Sequence, residues 1–358
     1  MKKHIGFLIM NFSNKGGTER VTSVIANNLN ERDYKVSVIS CQYGEKSHFD
    51  INDDIRLFSL HGERHSNPLI RKLKTSSDLE SLVREQKIDI MIAVDVALYI
   101  YLLPLQRKGI CKCVAWEHFN YYIANSRIVK FARKLAAKKA DCVVVLGKND
   151  LNSYKTHYKK INRVEYIYNP IALNLEKTAD ISKKRIIAVG RLAKQKGFDM
   201  LIDSWALLEK QFPDWSIDIY GEGSLKNELQ AQIDRTQLKN IRLCGYASDI
   251  EQEYINSSIF ALSSRYEGFV LVLMEAQAKA LPCVSFNCKE GPAETIDDGV
   301  NGYLVEEGNI AEFAEKLKLL MQDENLRRSF AGTARKDLAR FDTDKIMQQW
   351  ESLLLSLQ

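Results

Sequence analysis

Apolar runs of five to seven residues alternate with amphipathic stretches along the whole chain. HIGFLIM (4–10), YKVSVIS (34–40), IDIMIAV (88–94), CKCVAW (111–116) and DCVVVL (141–146) form a first series. RIIAVG (185–190), WSIDIYG (215–221), IRLCG (241–245), SIFALS (258–263) and LPCVSF (281–286) form a second. Short runs that are apolar almost throughout, rather than at every second position, suit strands covered on both faces. The stretches between them, such as ERVTSVIANNL and FDMLIDSWALLEK, space their apolar residues as one face of a helix does. Strands alternating with helices predict parallel sheets, and two series predict two doubly wound, Rossmann-like α/β domains.

The break between the series falls in YIYNPIALNLEKTADISKK (166–184), where Asn169-Pro170 is a turn signal and the periodicity is lost. The expected domains are 1–170 and 171–340. The remaining segment, 341–358, reads as a helix with Asp342 as its N-cap, packing back towards the first domain. Open parallel sheets bind ligands beyond the carboxyl ends of their strands. Two such domains facing each other would therefore hold a substrate in the cleft between them.

Composition agrees with a folded chain: 358 residues, 45% of them apolar. No apolar run approaches the roughly 18–20 residues of a membrane span. The start, MKKHIGFLIMNFSN, resembles a signal peptide, but its apolar stretch Ile5–Met10 is too short and no small-residue cleavage site follows. It reads as a first buried strand, and the expected location is cytoplasmic. Of seven cysteines, Cys41, Cys142, Cys244 and Cys283 lie in or beside apolar runs, as buried thiols do. There is no CxxC, so neither a zinc site nor a disulfide framework is expected.

Charge is divided unevenly. Residues 1–170 hold 28 Lys+Arg against 17 Asp+Glu, and residues 171–358 hold 23 against 29. The densest basic stretch is RIVKFARKLAAKK (127–139), where Arg127, Lys130, Arg133, Lys134, Lys138 and Lys139 interleave with Ile128, Val129, Phe131 and Leu135. At helical spacing this is either a solvated helix face or a surface for an anionic membrane. No nucleic-acid-binding signature accompanies it.

Candidate chemistry lies where strands lead into helices. In GRLAKQKGFDMLIDSW (190–205), Arg191 and Lys196 project from such a loop, a setting for cations that meet a diphosphate. In RYEGFVLVLMEA (265–276), Gly268 allows a sharp turn into an apolar helix. The open N–H groups of that helix around Phe269, Val270 and Leu271 suit a phosphate. Glu267 precedes the helix and Glu275 lies one to two turns inside it; a carboxylate suits a ribose diol. GEGSLKNEL (221–229) puts Gly221, Glu222 and Gly223 on a third such turn, but as GxGxxK it fails the dinucleotide fingerprint. Gly16 and Gly17 separate the first strand from a helix for which Thr18 is the expected N-cap. WEHFNYY (116–122) places His118 at the carboxyl end of a buried strand.

Together these motifs resemble the retaining glycosyltransferases of family 4, whose fold is the two-domain GT-B arrangement. The likeness covers essentially the whole chain. It rests on Glu267…Glu275 as E-x7-E and on GRLAKQKGFDMLI. GEG at 221–223, GPAETIDDGVNGYLV at 291–305 and GGTER at 16–20 follow in family order. The resemblance implies that Arg191 and Lys196 grip the donor diphosphate, Glu275 binds the ribose and Glu267 faces the donor sugar. Amides after Gly268 would hold the distal phosphate, with Gly16, Gly17 and His118 approaching from the first domain and Tyr246 near the base. It further implies a UDP-linked hexose or N-acetylhexosamine donor, a glycan or lipid-linked acceptor of bacterial lipopolysaccharide or capsule assembly, and no metal or other cofactor. The DxD-like Asp342-Thr343-Asp344 reads as a helix cap. The competing classes are a phosphorylase or nucleotide-sugar epimerase of similar fold, a nicotinamide oxidoreductase, and a non-catalytic glycan-binding homologue.

Overall fold

The computed structural model describes residues 3–60, 68–119, 121, 126–171, 173, 175–268, 270–288, 291–336 and 338–357. The chain divides into two compact units, Met1–Pro170 with Phe341–Gln358, and Ile171–Arg340. Each is a parallel sheet with helices between its strands.

The first unit contains β1 (His4–Ile9), β2 (Lys35–Ser40), β3 (Arg56–Ser59), β4 (Ile90–Val94), β5 (Lys112–Trp116), β6 (Cys142–Val145) and β7 (Val164–Tyr166). They pair in the order β3-β2-β1-β4-β5-β6-β7, every neighbour parallel. Alternate residues Met91, Ala93, Cys113, Ala115, Val143 and Val145 share one apolar layer with Leu102, Leu105, Ala136 and Tyr154. The last helix, Thr343–Ser356, is capped by the Asp342 carboxylate, which accepts from Lys345 N–H. Its Trp350 meets Trp116 edge to face, ring centroids 5.0 Å apart.

The second unit contains β8 (Arg185–Val189), β9 (Ser216–Tyr220), β10 (Ile241–Gly245), β11 (Ile259–Leu262), β12 (Cys283–Phe286) and β13 (Gly302–Val305). Their order is β10-β9-β8-β11-β12-β13, again parallel throughout. The period of two along each strand divides its residues between two cores. Ile186, Ala188, Ile259 and Ala261 face Trp205 and Phe313, while Ile187, Phe260 and Leu262 face Leu273 and Ala276. The polar break in β9 is Asp218, 1% exposed, whose carboxylate accepts from Arg185 and Arg242 on the two flanking strands.

All ten expected strands are present. Three strands were not foreseen, β3, β7 and β13. Each is three or four residues long and lies at a sheet edge, where the apolar signal of a strand buried on both faces is absent. Two local expectations are corrected. Cys244 is exposed, because β10 is also an edge strand, in which Arg242 and Cys244 face outward while Ile241 is buried and Leu243 half-buried. The first long helix runs Gly17–Glu31 with Gly16 as N-cap, so Thr18 lies inside its first turn. All seven cysteines are free. Among the described residues, no helix is long and apolar enough to cross a membrane.

Both strand orders reverse direction once, between β1 and β4 and between β8 and β11. At such switch points the connections leave on opposite faces and open a crevice at the carboxyl ends of the strands. In the second unit Arg191, Lys196 and Glu267 lie in the loops at those ends, and in the first Gly16 and His118 do.

Candidate functional site

In the second unit the loop after β8 and the loop after β11 meet across the switch point. β8 leads through Gly190 and Arg191 into a short 3-10 turn, Lys194–Lys196, and then at Gly197 into the helix Phe198–Ala206. Gly197 has φ 62°, and a Cβ there would stand 2.0 Å from the Ser263 carbonyl oxygen, so only glycine fits. The two loops are joined along their length. Arg265 N–H donates to Gln195 O at 2.8 Å, Ser263 Oγ to Lys196 O at 3.0 Å and Gln195 Nε2 to Tyr266 O at 3.1 Å. The Arg265 guanidinium forks onto Asp199 at 2.8 and 2.6 Å and holds that carboxyl below its usual range.

This frame brings Lys196 and Glu267 together. Lys196 Nζ donates to Glu267 Oε1 at 2.6 Å, and Ser264 Oγ donates to the same oxygen at 2.5 Å. Both charged side chains are largely buried, 16% and 6% exposed. Arg191 is exposed, and among the described residues no ion pair or hydrogen bond engages its guanidinium. The loop thus carries one cation already matched by a carboxylate and a second still unmatched.

Glu275 is buried in the helix Leu271–Ala278, and Tyr254 Oη donates to its Oε2 at 3.0 Å. Val270 is the N-cap residue of that helix, with no side-chain cap. Gly268, Val270 and Leu271 therefore stand at an N-terminus whose first amides lack helical partners. Phe269 lies outside the described residues.

Gly221 and Gly223 serve the loop packing directly. A Cβ on Gly221 would stand 2.0 Å from Gly190 O, and one on Gly223 2.3 Å from Leu192 O. The GEG turn thus presses backbone to backbone on the Arg191 loop, and Leu192 N–H donates to Glu222 O at 2.9 Å. The Glu222 side chain pairs with Lys226 at 3.1 Å. Tyr246 follows β10 and is exposed.

In the first unit, Gly16 begins the helix after β1. Glu19 turns back on it, so a Cβ on Gly16 would stand 2.4 Å from Glu19 Oε2. Burial raises the Glu19 carboxyl above its usual range, against hydrogen bonds from its own amide, Asn14 and the Gly16 amide. The helix start is thus capped by the chain's own carboxylate.

His118 follows β5. Its ring tilts against Trp116, centroids 4.2 Å apart, and its Nε2 is buried with no hydrogen-bond partner among the described residues. Burial lowers its pKa to about 3, so the imidazole is neutral at ordinary pH. The preceding residue, Glu117, is fully buried and accepts from Arg133 Nε at 2.6 Å and Tyr154 Oη at 2.9 Å. Arg133 therefore leaves the basic face assigned to it in RIVKFARKLAAKK. It is 1% exposed, on the inward line with Ala132, Ala136 and Ala137. Arg127, Lys130, Lys134, Lys138 and Lys139 remain exposed, with Ile128 and Phe131 at 67% and 57%.

Sequence reasoning missed Ser264, Tyr254, Asp199 with Arg265, and Glu117 with Arg133 and Tyr154. Only Arg133 left a signal, its helical phase with Ala136 and Ala137. Among the described residues no group of three His, Cys, Asp or Glu side chains could hold a metal ion.

Comparison with known proteins agrees with this fold. The family model described as Glycosyltransferase Family 4 matches residues 15–175, and that described as Glycosyl transferases group 1 matches residues 175–337. An uncharacterized glycosyltransferase of Haemophilus influenzae is 32% identical, covering 98% of this chain and 100% of that protein. The GalNAc-alpha-(1->4)-GalNAc-alpha-(1->3)-diNAcBac-PP-undecaprenol alpha-1,4-N-acetyl-D-galactosaminyltransferase of Campylobacter jejuni is 25% identical over 99% of both chains. The crystal structure of Anabaena HepE in complex with UDP and glucose is similar in fold, with a TM-score of 0.84 at 22% identity over 99% of each chain. Two Rossmann-like domains, family matches that together run through both, and a full-length relative place this chain among the glycosyltransferases, as a family 4-like member.

Proposed function

We propose that the chain transfers a hexose or N-acetylhexosamine from a UDP-sugar to a glycan or lipid-linked acceptor during assembly of bacterial cell-surface polysaccharide. The observation that carries this reading is the Lys196–Glu267 pair at the switch point of the second unit, with unmatched Arg191 on the same loop. The Campylobacter relative's PP-undecaprenol acceptor and the UDP of the Anabaena structure support the two substrates.

In this reading the diphosphate joins Lys196, Arg191 and the amides at the start of Leu271–Ala278. Breaking the anomeric bond gathers negative charge on the departing diphosphate. Cations and amides already in place stabilise that charge without reorganising. They carry it without a divalent ion. Glu275, held by Tyr254, takes the ribose hydroxyls. Gly16, Gly17 and neutral His118 belong to the donor-sugar side, and Tyr246 to the base.

Transfer is retaining, by attack on the face the diphosphate leaves, with a diphosphate oxygen taking the acceptor proton. The surroundings of Glu267 support this choice over a covalent intermediate. Its Oε1 already accepts from Lys196 and Ser264, which makes it a poor nucleophile. A glycosyl adduct trapped on Glu267 would overturn it.

The acceptor reading includes a surface. Arg127, Lys130, Lys134 and Lys138 flank exposed Ile128 and Phe131 on one helix, a combination that suits an anionic leaflet on the cytoplasmic side.

Arg191→Ala and Lys196→Ala are each expected to lower kcat about 10²–10³-fold, the usual effect of losing one such group. Circular dichroism should show the fold retained; wild-type turnover in either variant would contradict the diphosphate assignment. Flotation with vesicles tests the surface. Binding should rise with anionic lipid, and the double change Lys130→Ala, Lys134→Ala should weaken it about 30-fold, at about 1 kcal/mol per charge. Equal binding to neutral vesicles would remove the membrane reading.

A further inference from the structure

Glu117, His118, Phe119 and Tyr121 follow β5, and buried polar groups hold their backbone. Glu117 Oε2 accepts from Arg133 Nε and Tyr154 Oη, while its Oε1 accepts from Phe119 N–H at 3.2 Å. The remaining Arg133 nitrogens reach the loop backbone, Nη1 to Tyr121 O at 2.6 Å and Nη2 to Phe119 O at 3.4 Å. The guanidinium also lies over the Tyr121 ring, 5.2 Å from its centroid. Tyr121 N–H donates to Asp150 Oδ1 at 3.0 Å. Partners thus come from two helices, Arg127–Lys139 and Lys148–His157, onto both sides of His118 in the chain.

We propose that Arg133 is a positioning residue of the transfer reaction, holding through Glu117 and two loop carbonyls the backbone from which His118 meets the donor sugar. This rests on the reading of His118 given above.

A buried ion pair is a weak way to add stability, since apolar residues of similar volume do as well. What it adds here is geometry. The planar guanidinium fixes one carboxylate and two carbonyls at once, which a lysine cannot do. The loop needs such fixing, because segments at strand ends move more than the strands they join. His118 gains a defined place against Trp116, ring centroids 4.2 Å apart.

A second carboxyl depends on the same cation. Asp95 follows β4 with φ 103° and accepts from Ala97 N–H at 2.8 Å. Burial, with Glu117 nearby, raises its pKa to about 6, and Arg133 opposes that rise. Without the guanidinium, the Glu117 carboxylate keeps only Tyr154 Oη and the Phe119 amide as donors, and Asp95 loses a charge that opposes its raised pKa.

A double-mutant cycle tests this on the full chain, reading kcat for sugar transfer and UDP affinity by calorimetry. Arg133→Lys is expected to lower kcat about 10-fold, with UDP affinity unchanged within about twofold, because the proposed UDP contacts lie in the other unit. In a His118→Ala background the same change should alter kcat by less than about twofold, since the group it positions is gone.

An equal loss in both backgrounds would overturn the positioning role and leave the His118 reading intact. Wild-type kcat in Arg133→Lys would also overturn it. Wild-type kcat in His118→Ala would overturn both readings. Should Arg133→Lys fail to fold, Tyr154→Phe removes one donor from Glu117 at nearly constant volume and runs the same cycle.

Discussion

A carboxylate withdrawn from water must be met by donors, and the loops of both units are arranged around one that is. Glu267 is met by Lys196 and Ser264, and Glu117 by Arg133, Tyr154 and the Phe119 amide. Leaving either carboxylate uncompensated would cost several kcal/mol, so the loop and helices that carry the partners are tied to the loops that carry the acids. The same requirement makes Lys196 a prepared cation. Its position is set before any ligand arrives, and the exposed Arg191 supplies the charge that Glu267 has not already balanced.

Topology places the two carboxylates differently. In the second sheet the strand order turns between β8 and β11, and the loops on either side of that turn hold Lys196 and Glu267; in the first it turns between β1 and β4, and Glu117 follows β5, one strand further along. Close packing of those loops explains several glycines better than ligand contact does. Gly221 and Gly223 yield their side-chain space to the backbone of residues 190 and 192, and Gly197 yields its own to Ser263. They shape the loop that carries Arg191 and Lys196 from behind.

The sequence showed the architecture because central parallel strands are apolar on both faces, and β1, β4, β5, β8, β11 and β12 all read that way. It hid β3, β7 and β13, whose edge positions need neither length nor continuous apolarity. The site was legible where one short motif holds both the residue and its setting, as with Lys196 after a strand and Glu275 in an apolar helix. It was illegible where the partner is distant in the chain. Lys196 pairs with Glu267 across 71 positions, and Tyr254 reaches Glu275 across 21. Arg133 looked like one more surface cation because its five basic neighbours are; only its phase with Ala136 and Ala137 marks the inward turn.

The central claim is that the loops around Lys196 and Glu267 receive the diphosphate of a UDP-sugar without a metal ion. The most direct test is the thermal unfolding of the full chain in EDTA with UDP, GDP, ADP and a panel of UDP-sugars, because a ligand that binds only the native state must raise its apparent stability. The account predicts a rise with UDP and with one class of UDP-sugar, and its loss in Lys196→Ala. A folded wild-type protein that no nucleoside diphosphate stabilises would contradict it.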